Sequence, residues 1–260
     1  MAGENQRWIP AKAGFVRGGE DNAYLDLSTR PDITQAMPFS PQAIIFDNDG
    51  VLVDSEVIHV QCERELLAEI GLDYAYEDYM SRFVGMPTPA FLKALAVDHE
   101  ARLGAPFPED FHDRLKDRVW PRIDAELQPL PGIPELLDAF GGAIAVASSA
   151  HLLRLRHKLT LTGMLDWFEP HIYSADVVEH GKPAPDLFLH AASQLGIAPE
   201  RCLVIEDSVN GVKAGRAAGM QVIGFTGGGH ADPGLGARLE AAGAHAVVAG
   251  HDEVRGMLGA

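Results

Sequence analysis

Short apolar runs that alternate with helical segments are the feature of this sequence that most constrains its fold. After residue 132 the apolar runs are AIAVAS, HIYS, CLVIE, MQVIGF and AHAVVA, and segments with helical spacing separate them. Such alternation is typical of a parallel sheet with helices on both faces. An earlier run, 43–46, is continuously apolar, as expected of a strand buried on both faces. The sequence therefore predicts an α/β fold with a doubly wound, Rossmann-like parallel-sheet core.

The stretch between the first strand and residue 131 has helical spacing but no strand pattern. This spacing predicts helices over 56–70, 88–103 and 108–127. Residues 1–40 mix Gly, Pro and polar residues without either period, which predicts a loose leader. We therefore predict an inserted helical domain from 56–128 and an α/β core from 41–55 and 129–260.

The charge balance excludes several classes of partner. The chain has 37 Asp and Glu residues against 21 Lys and Arg residues, a formal net charge of −16. This field repels polyanions, so we expect no nucleic-acid and no membrane partner, and any phosphate site has to be local. The N-terminus lacks a signal-peptide pattern, and Cys62 and Cys202 show neither metal-site nor disulfide spacing. We expect a cytoplasmic protein that is a monomer or a weak homodimer.

Polar residues after the predicted strands are the candidate functional residues, because ligands of open parallel sheets bind beyond the carboxyl ends of the strands. The first strand is followed by Asp47-Asn48-Asp49-Gly50. Two carboxylates at this spacing hold a divalent cation or divide nucleophile and proton-donor roles, although the pattern is also common in turns. Later strand ends and turns add two hydroxyls, a lysine and two adjacent carboxylates, namely Ser148, Ser149, Lys182, Glu206 and Asp207. Together these groups indicate phosphoryl transfer.

Four ordered motifs carry a resemblance to a known family. FDNDGVLVDSE, VASSA, GKPAPDLF and VIEDSVNGVKAGRAAGM resemble the motifs of the haloacid dehalogenase superfamily, over about residues 43–248. The helical insertion is similar to the α-helical cap of the subfamily that contains sugar-phosphate phosphatases and β-phosphoglucomutase. The resemblance implies that the core is catalytic and that a small phosphorylated metabolite is the substrate.

The resemblance also implies roles for the residues at the strand ends. Asp47 would attack phosphorus to form an aspartyl-phosphate, and Asp49 would protonate the leaving oxygen and later deprotonate water. Ser148 and Lys182 would hold the phosphoryl oxygens. Mg²⁺ is the implied cofactor, and the implied ligands are the Asp47 side chain, the Asp49 main-chain oxygen and Asp207, with Glu206 close by. Hard oxygen ligands favour magnesium over zinc.

Substrate recognition is expected in the cap. His59 follows Ser55 by one helical turn and would face the cleft if the resemblance holds. Residues 82–88 resemble the substrate-specificity loop, in which β-phosphoglucomutase carries an arginine three residues after the glycine. This chain has Thr88 there, and Arg82 is a possible substitute on the other side of the glycine. We predict that substrate contacts come from Ser149, His59, Arg82 and Thr88.

The leading hypothesis is a Mg²⁺-dependent phosphatase that acts on a small phosphorylated metabolite, with a sugar phosphate as the expected substrate. A phosphomutase on the same fold and a non-enzymatic binding module remain alternatives, and Thr88 favours hydrolysis over mutase chemistry. A dehalogenase is disfavoured because Asp49 is present. The glycine-rich loop 227–230 follows a strand end and either lies near the site or is only a connector, and the second interpretation is favoured.

Overall fold

The computed structural model describes residues 40–84, 86 and 88–259. Within these residues six strands form a single sheet: β1 Ala43–Phe46, β2 Ala143–Ser148, β3 Ile172–Ser174, β4 Cys202–Glu206, β5 Gln221–Phe225 and β6 Ala246–Val248. The strand order is β3-β2-β1-β4-β5-β6, and every neighbouring pair is parallel. The predicted α/β fold with a doubly wound parallel sheet is therefore confirmed.

Strand β1 lies in the middle of the sheet and determines where the site forms. Its four residues are all fully buried, and they pair with β2 on one side and β4 on the other. Ile44 and Phe46 pack in one apolar cluster while Ala43 and Ile45 pack in the cluster on the opposite face. The continuous apolar run is thus explained by helices on both faces. The order in which successive strands are added to the sheet reverses at β1, which places the residue after Phe46 at the crevice where ligands of such sheets bind.

Eleven α-helices lie within the described residues. Four of them, which we call the cap helices, separate β1 from the rest of the sheet: α1 Ser55–Glu69, α2 Tyr76–Phe83, α3 Thr88–Leu103 and α4 Phe111–Glu126. The others are α5 Ile133–Ala139, α6 Leu152–Leu161, α7 Leu165–Phe168, α8 Asp186–Leu195, α9 Val209–Ala217, α10 Leu235–Ala241 and α11 His251–Leu258. None of these helices is long and apolar enough to cross a lipid bilayer.

The helices predicted in the insertion are found as α1, α3 and α4, but α2 was not predicted. The interpretation of 82–88 as a loop is wrong for Arg82 and Phe83, which lie in the last turn of α2, and for Thr88, which begins α3. Tyr79 and Phe83, four residues apart, are both buried and pack against Tyr74. Aromatic packing against other parts of the cap therefore stabilises α2, and the sequence pattern of an eight-residue segment is too short to predict such a helix. Of the predicted leader 1–40, only Ser40 lies within the described residues.

Candidate active site

The loop after β1 brings the first two candidate carboxylates to the middle of the sheet edge. The Asp47 N–H donates to the Ile205 carbonyl at 3.0 Å, which extends the pairing with β4 by one residue. The Asn48 carbonyl accepts from Leu52 N at 2.8 Å and closes a tight loop. Gly50 has φ +84°, and a Cβ there would lie 1.9 Å from Asp207 Oδ2. Glycine is therefore required for this loop to approach the end of β4 so closely.

Lys182 joins the ends of three strands through its ammonium group. Nζ donates to Asp47 Oδ1 at 2.5 Å, to Glu206 Oε1 at 2.6 Å and to the Ala147 carbonyl at 2.9 Å. These three acceptors satisfy all three donors of the ammonium. Burial alone would lower the pKa of Lys182, but the charges of Asp47 and Glu206 outweigh it and raise that pKa. Lys182 is therefore a permanent cation beside the Asp47 carboxylate.

Glu206 is held from two sides and is almost completely buried. Its Oε1 accepts from Lys182, and its Oε2 accepts from the backbone N–H and the hydroxyl of Ser208, both at 2.9 Å. A Cβ at Gly211 in the first turn of α9 would lie 1.8 Å from the Glu206 carboxyl group. The glycine therefore provides the space that this carboxylate occupies.

Asp207 is paired with a histidine that sequence analysis assigned to a connector. His230 Nε2 lies 3.1 Å from Asp207 Oδ2, and Gly229 N donates to Asp54 Oδ2 at 2.9 Å. Of the two interpretations of 227–230, the favoured one, a connector only, is thus wrong for His230, and a place near the site is correct. The glycines before His230 let the loop fold back over the sheet edge. Burial raises the pKa of Asp207, the hydrogen bond from His230 lowers it, and repulsion by Glu206 raises it further, so that the pKa stays raised.

Negative charge is in excess at this sheet edge. Burial raises the pKa of Asp47 well above its usual range; Lys182 works against this, and repulsion by Glu206 and Asp207 adds to it. Among residues 40–84, 86 and 88–259, no three His, Cys, Asp or Glu side chains form a metal-binding group. A cation here would rely on two carboxylates together with main-chain and phosphate oxygens. Such oxygen donors with surplus negative charge fit a hard divalent cation like Mg²⁺.

Asp49 contacts a lysine that sequence analysis missed. Its Oδ1 accepts from Lys158 Nζ and from Ser55 Oγ, and Lys158 Nζ lies 3.1 Å from that hydroxyl. Burial would raise the pKa of Asp49, but the charge and hydrogen bond of Lys158 and the hydrogen bond of Ser55 lower it overall. Asp49 is therefore ionised near neutral pH. Lys158 lies between Leu155 and Leu159 on the buried face of α6. A lysine at an otherwise apolar helix position is the feature of the sequence that could have predicted its buried role.

The two serines after β2 have different surroundings. Ser148 is buried, and its Oγ accepts from Ala150 N at 3.1 Å. Ser149 is exposed and lines a cavity of about 440 Å³ between the cap helices and the loop after β2, which we call the cleft pocket. His59 and Thr88 also line this pocket. Three of the four predicted substrate-binding residues are thus brought together.

Arg82 is the predicted substrate-binding residue that the structure does not bring to the cleft pocket. Its guanidinium pairs with Asp98 at 2.7 Å and lies 4.7 Å from the ring centroid of Phe83. Other polar residues line the pocket instead, among them Glu63, Lys116, Arg154 and Lys158.

Comparisons with known proteins agree with this geometry. The haloacid dehalogenase-like hydrolase family matches residues 41–219. The 6-phosphogluconate phosphatase of Escherichia coli (strain K12) is 30% identical over 192 residues, covering 74% of this chain and 86% of that protein. The fructose-1-phosphate phosphatase YqaB of the same organism is 31% identical over 182 residues, covering 69% of this chain and 94% of that protein.

A solved structure gives the same assignment. A HAD family hydrolase from Deinococcus radiodurans R1, crystallised with bound phosphate and sodium, is 39% identical with a TM-score of 0.75. The match covers 85% of this chain and 95% of that chain. The family match spans more than half of the sequence and includes the Asp47, Ser148, Lys182 and Asp207 segments. The chain belongs to the haloacid dehalogenase-like hydrolase family.

Proposed function

We propose that the protein is a phosphatase that hydrolyses a small phosphorylated carbohydrate through an aspartyl-phosphate on Asp47. The observation that carries the proposal is the buried Lys182–Asp47 pair at 2.5 Å, with Asp49 two residues further along the same loop. The lysine neutralises the carboxylate that has to approach an anionic phosphate. Relatives named as 6-phosphogluconate and fructose-1-phosphate phosphatases support the substrate class.

The reaction divides into two displacements. In the first, Asp47 attacks phosphorus and the bond to the carbohydrate oxygen breaks; in the second, water attacks the same phosphorus and releases inorganic phosphate and free Asp47. Ser148, Ser149 and Lys182 hold the phosphoryl oxygens. Asp47, the Asp49 main-chain oxygen and Asp207 would hold Mg²⁺, with Glu206 beside it, and the cation would stabilise negative charge on the phosphoryl group.

The Asp49–Lys158 pair supplies acid and base. An ionised Asp49 is ready to take a proton from the attacking water, which suits the second displacement. For the first displacement the leaving oxygen needs a proton. The family resemblance implies Asp49 as its donor, but an Asp49 that is held ionised by Lys158 has no proton to give, so we propose instead that the Lys158 ammonium, which contacts Asp49 and lines the cleft pocket, donates it. The proton that Asp49 then takes from water returns to Lys158, which restores the pair for the next cycle.

A phosphomutase remains the second candidate. A mutase has to hold a bisphosphate, which requires cations at a distance from Asp47. Thr88 lines the cleft pocket and offers no charge, and Arg82 is engaged by Asp98. We therefore expect release of inorganic phosphate to exceed isomerisation of β-glucose 1-phosphate, even with a bisphosphate primer.

The test is the release of inorganic phosphate from a panel of phosphorylated sugars, with Mg²⁺ and after its chelation. Asp47→Asn should lose essentially all turnover because it removes the nucleophile, whereas Asp138→Asn, an exposed change on α5, should keep it. Turnover by pure Asp47→Asn at more than the uncatalysed rate would contradict the proposal. A non-enzymatic binding module would release phosphate in neither protein.

We also propose that the protein acts in the cytoplasm as a monomer or a weak homodimer, without nucleic-acid or membrane partners. The net charge of −16 and two free, buried cysteines support this setting. Sedimentation of the full chain at micromolar concentration tests the oligomeric state.

A further inference from the structure

The cleft pocket has a charge opposite to that of the whole chain. Among the described residues that line it, three are cationic, Lys116, Arg154 and Lys158, and one is a carboxyl group, Glu63. Burial raises the pKa of Glu63 to about 7, although the hydrogen bond from Tyr79 lowers it, so this carboxyl group is only partly ionised near neutral pH. The pocket is thus an electropositive cavity in a protein of net charge −16, and such cavities attract anions.

Arg154 has the arrangement expected of an anion-binding group. Its guanidinium lies 5.0 Å from the ring centroid of Trp120, and within the part of the chain that the structure describes it forms no ion pair with a carboxylate. Arg156, two residues further along α6, is in contrast paired with Glu169. Stacking on an aromatic ring orients a guanidinium and leaves its in-plane N–H donors for a ligand.

Two further observations concern the balance of charge in the pocket. The pKa of His59 is lowered to about 4 by burial and by repulsion from Lys158 and Arg154, which the attraction of Asp49 does not offset. Lys116 pairs at 3.2 Å with Asp113 on the surface of α4, and exposed pairs of this kind are weak and readily exchanged for a ligand. Lys158 is already paired with Asp49, so Arg154 is the cation of the pocket that forms no ion pair with a carboxylate among the described residues, and Lys116 is the cation whose partner is readily exchanged.

The distance from the reacting end suits a carbohydrate. Arg154 precedes Lys158 by four residues on α6, so both lie on one helix face with an axial separation of about 6 Å. Lys158 contacts Asp49, and Arg154 is thus about one sugar length from the proton-transfer group. We propose that Arg154 and Lys116 bind a second anionic group of the substrate, a carboxylate or a phosphate, which makes phosphorylated carbohydrates with two anionic groups the preferred substrates. This inference rests on the proposed phosphatase function.

Two pairs of substrates test the inference, and in each pair only the first member carries a second anionic group. The pairs are 6-phosphogluconate against sorbitol 6-phosphate, and fructose 1,6-bisphosphate against fructose 1-phosphate. We expect the member with two anionic groups to have a kcat/KM about ten- to a hundredfold higher in at least one pair, because charge-assisted hydrogen bonds stabilise its second anionic group. Arg154→Met and Lys116→Met should each lower this preference about tenfold, with little change for the member that carries the phosphate alone. Arg156→Met and Lys93→Met, which remove cations outside the pocket, should keep it.

The outcomes separate the subsite from the phosphatase function. A preference confined to the first pair identifies a carboxylate, and one confined to the second pair identifies a phosphate. Phosphate release at equal kcat/KM within both pairs, or an equal loss on both members in Arg154→Met, overturns the subsite and leaves the phosphatase function standing. Release from none of the four compounds overturns the phosphatase function. In that case calorimetry measures the Kd of each compound for the full chain. The subsite is supported if the member with two anionic groups binds more tightly and Arg154→Met abolishes this difference in Kd. The subsite is overturned if the two members of each pair bind with equal Kd.

Discussion

Replacing Lys158 with methionine removes one positive charge from the candidate active site while keeping the length of the buried side chain. The lysine side chain is 7% exposed, contacts Asp49 Oδ1 and lies 3.1 Å from Ser55 Oγ. In the variant, Asp49 keeps the Ser55 hydroxyl as a donor but loses its charged partner. Because a carbohydrate oxygen leaves as a strongly basic alkoxide unless it is protonated, we expect Lys158→Met to fail mainly in the first displacement.

The expected magnitude follows from the contacts. Two unit charges about 4 Å apart attract each other by about 4 kcal/mol at an effective dielectric constant of about 20, and general acid catalysis contributes about 10²–10⁴ in rate. We therefore expect kcat/KM for a sugar phosphate to fall about a thousandfold, which corresponds to about 4 kcal/mol. For p-nitrophenyl phosphate the loss should stay below about tenfold, because nitrophenolate leaves without a proton.

The assay compares the two substrates in the unmodified protein, in Lys158→Met and in Lys213→Met, which removes an exposed lysine of α9. Circular dichroism and thermal melting establish that all three proteins are folded. An equal loss on both substrates would refute the proton-transfer role and leave Lys158 as a support for the position of Asp49. Unchanged rates on both substrates would remove Lys158 from the site altogether.

Three further predictions concern metal binding, pH and packing. Mg²⁺ should raise the melting temperature of the full chain, and Asp207→Asn should lose at least half of that shift, because a ligand of the native state stabilises it; an unchanged shift contradicts Asp207 as a ligand. The pKa of Glu63 is about 7 in the native state, above the reference value of 4.5 for a free glutamate side chain. Between these two pH values the native state binds more protons than the unfolded state. The free energy of unfolding therefore falls as the pH rises from 4.5 to 7, by up to about 3 kcal/mol. Urea unfolding at pH 5 and pH 8 should show a smaller loss in Glu63→Gln than in the unmodified protein, because Asp47 and Asp207, whose pKa values are also raised, remain in the variant. Gly211→Ala, which would place a methyl carbon 1.8 Å from the Glu206 carboxyl group, should destabilise the protein by more than about 1 kcal/mol and abolish turnover. The control is Gly256→Ala in α11, where the space around the added carbon is open, and this variant should preserve the melting temperature and the activity.

The positions of the strands and of the strand-end residues were predictable because they depend on local patterns. The 43–46 run is apolar at every position because β1 is covered on both faces, and the residue after it has to emerge at the sheet edge. The same logic placed Glu206 and Asp207 at the end of β4, and the tight loop after β1 brings Gly50 close to Asp207. Parallel pairing thus converts spacing along the chain into proximity in space.

The remaining features of the site depend on contacts between distant elements. Lys158 reaches Asp49 across 109 positions of the sequence, and only the apolar helix face around it hinted at a buried role. His230 comes to Asp207 because the glycines before it let the loop fold back. Arg82 turns from the cleft because Asp98, on the neighbouring helix α3, offers it a carboxylate. Pattern analysis assigns a residue to an element, but the direction of a long side chain is decided by the partner that it finds.

Helix α6 connects substrate recognition with the acid–base pair. It contacts α4 of the cap helices twice, through Arg154 over the Trp120 ring and through His157 at 2.6 Å from Asp124, and it also carries Lys158. Arg154 and Lys158 lie one turn apart on this helix, so a distal group that is held by Arg154 also fixes the position of the substrate relative to Lys158 and Asp49. The pocket that selects the substrate and the pair that transfers the proton therefore share one rigid element, and a substrate with the wrong distal group should lose kcat as well as affinity.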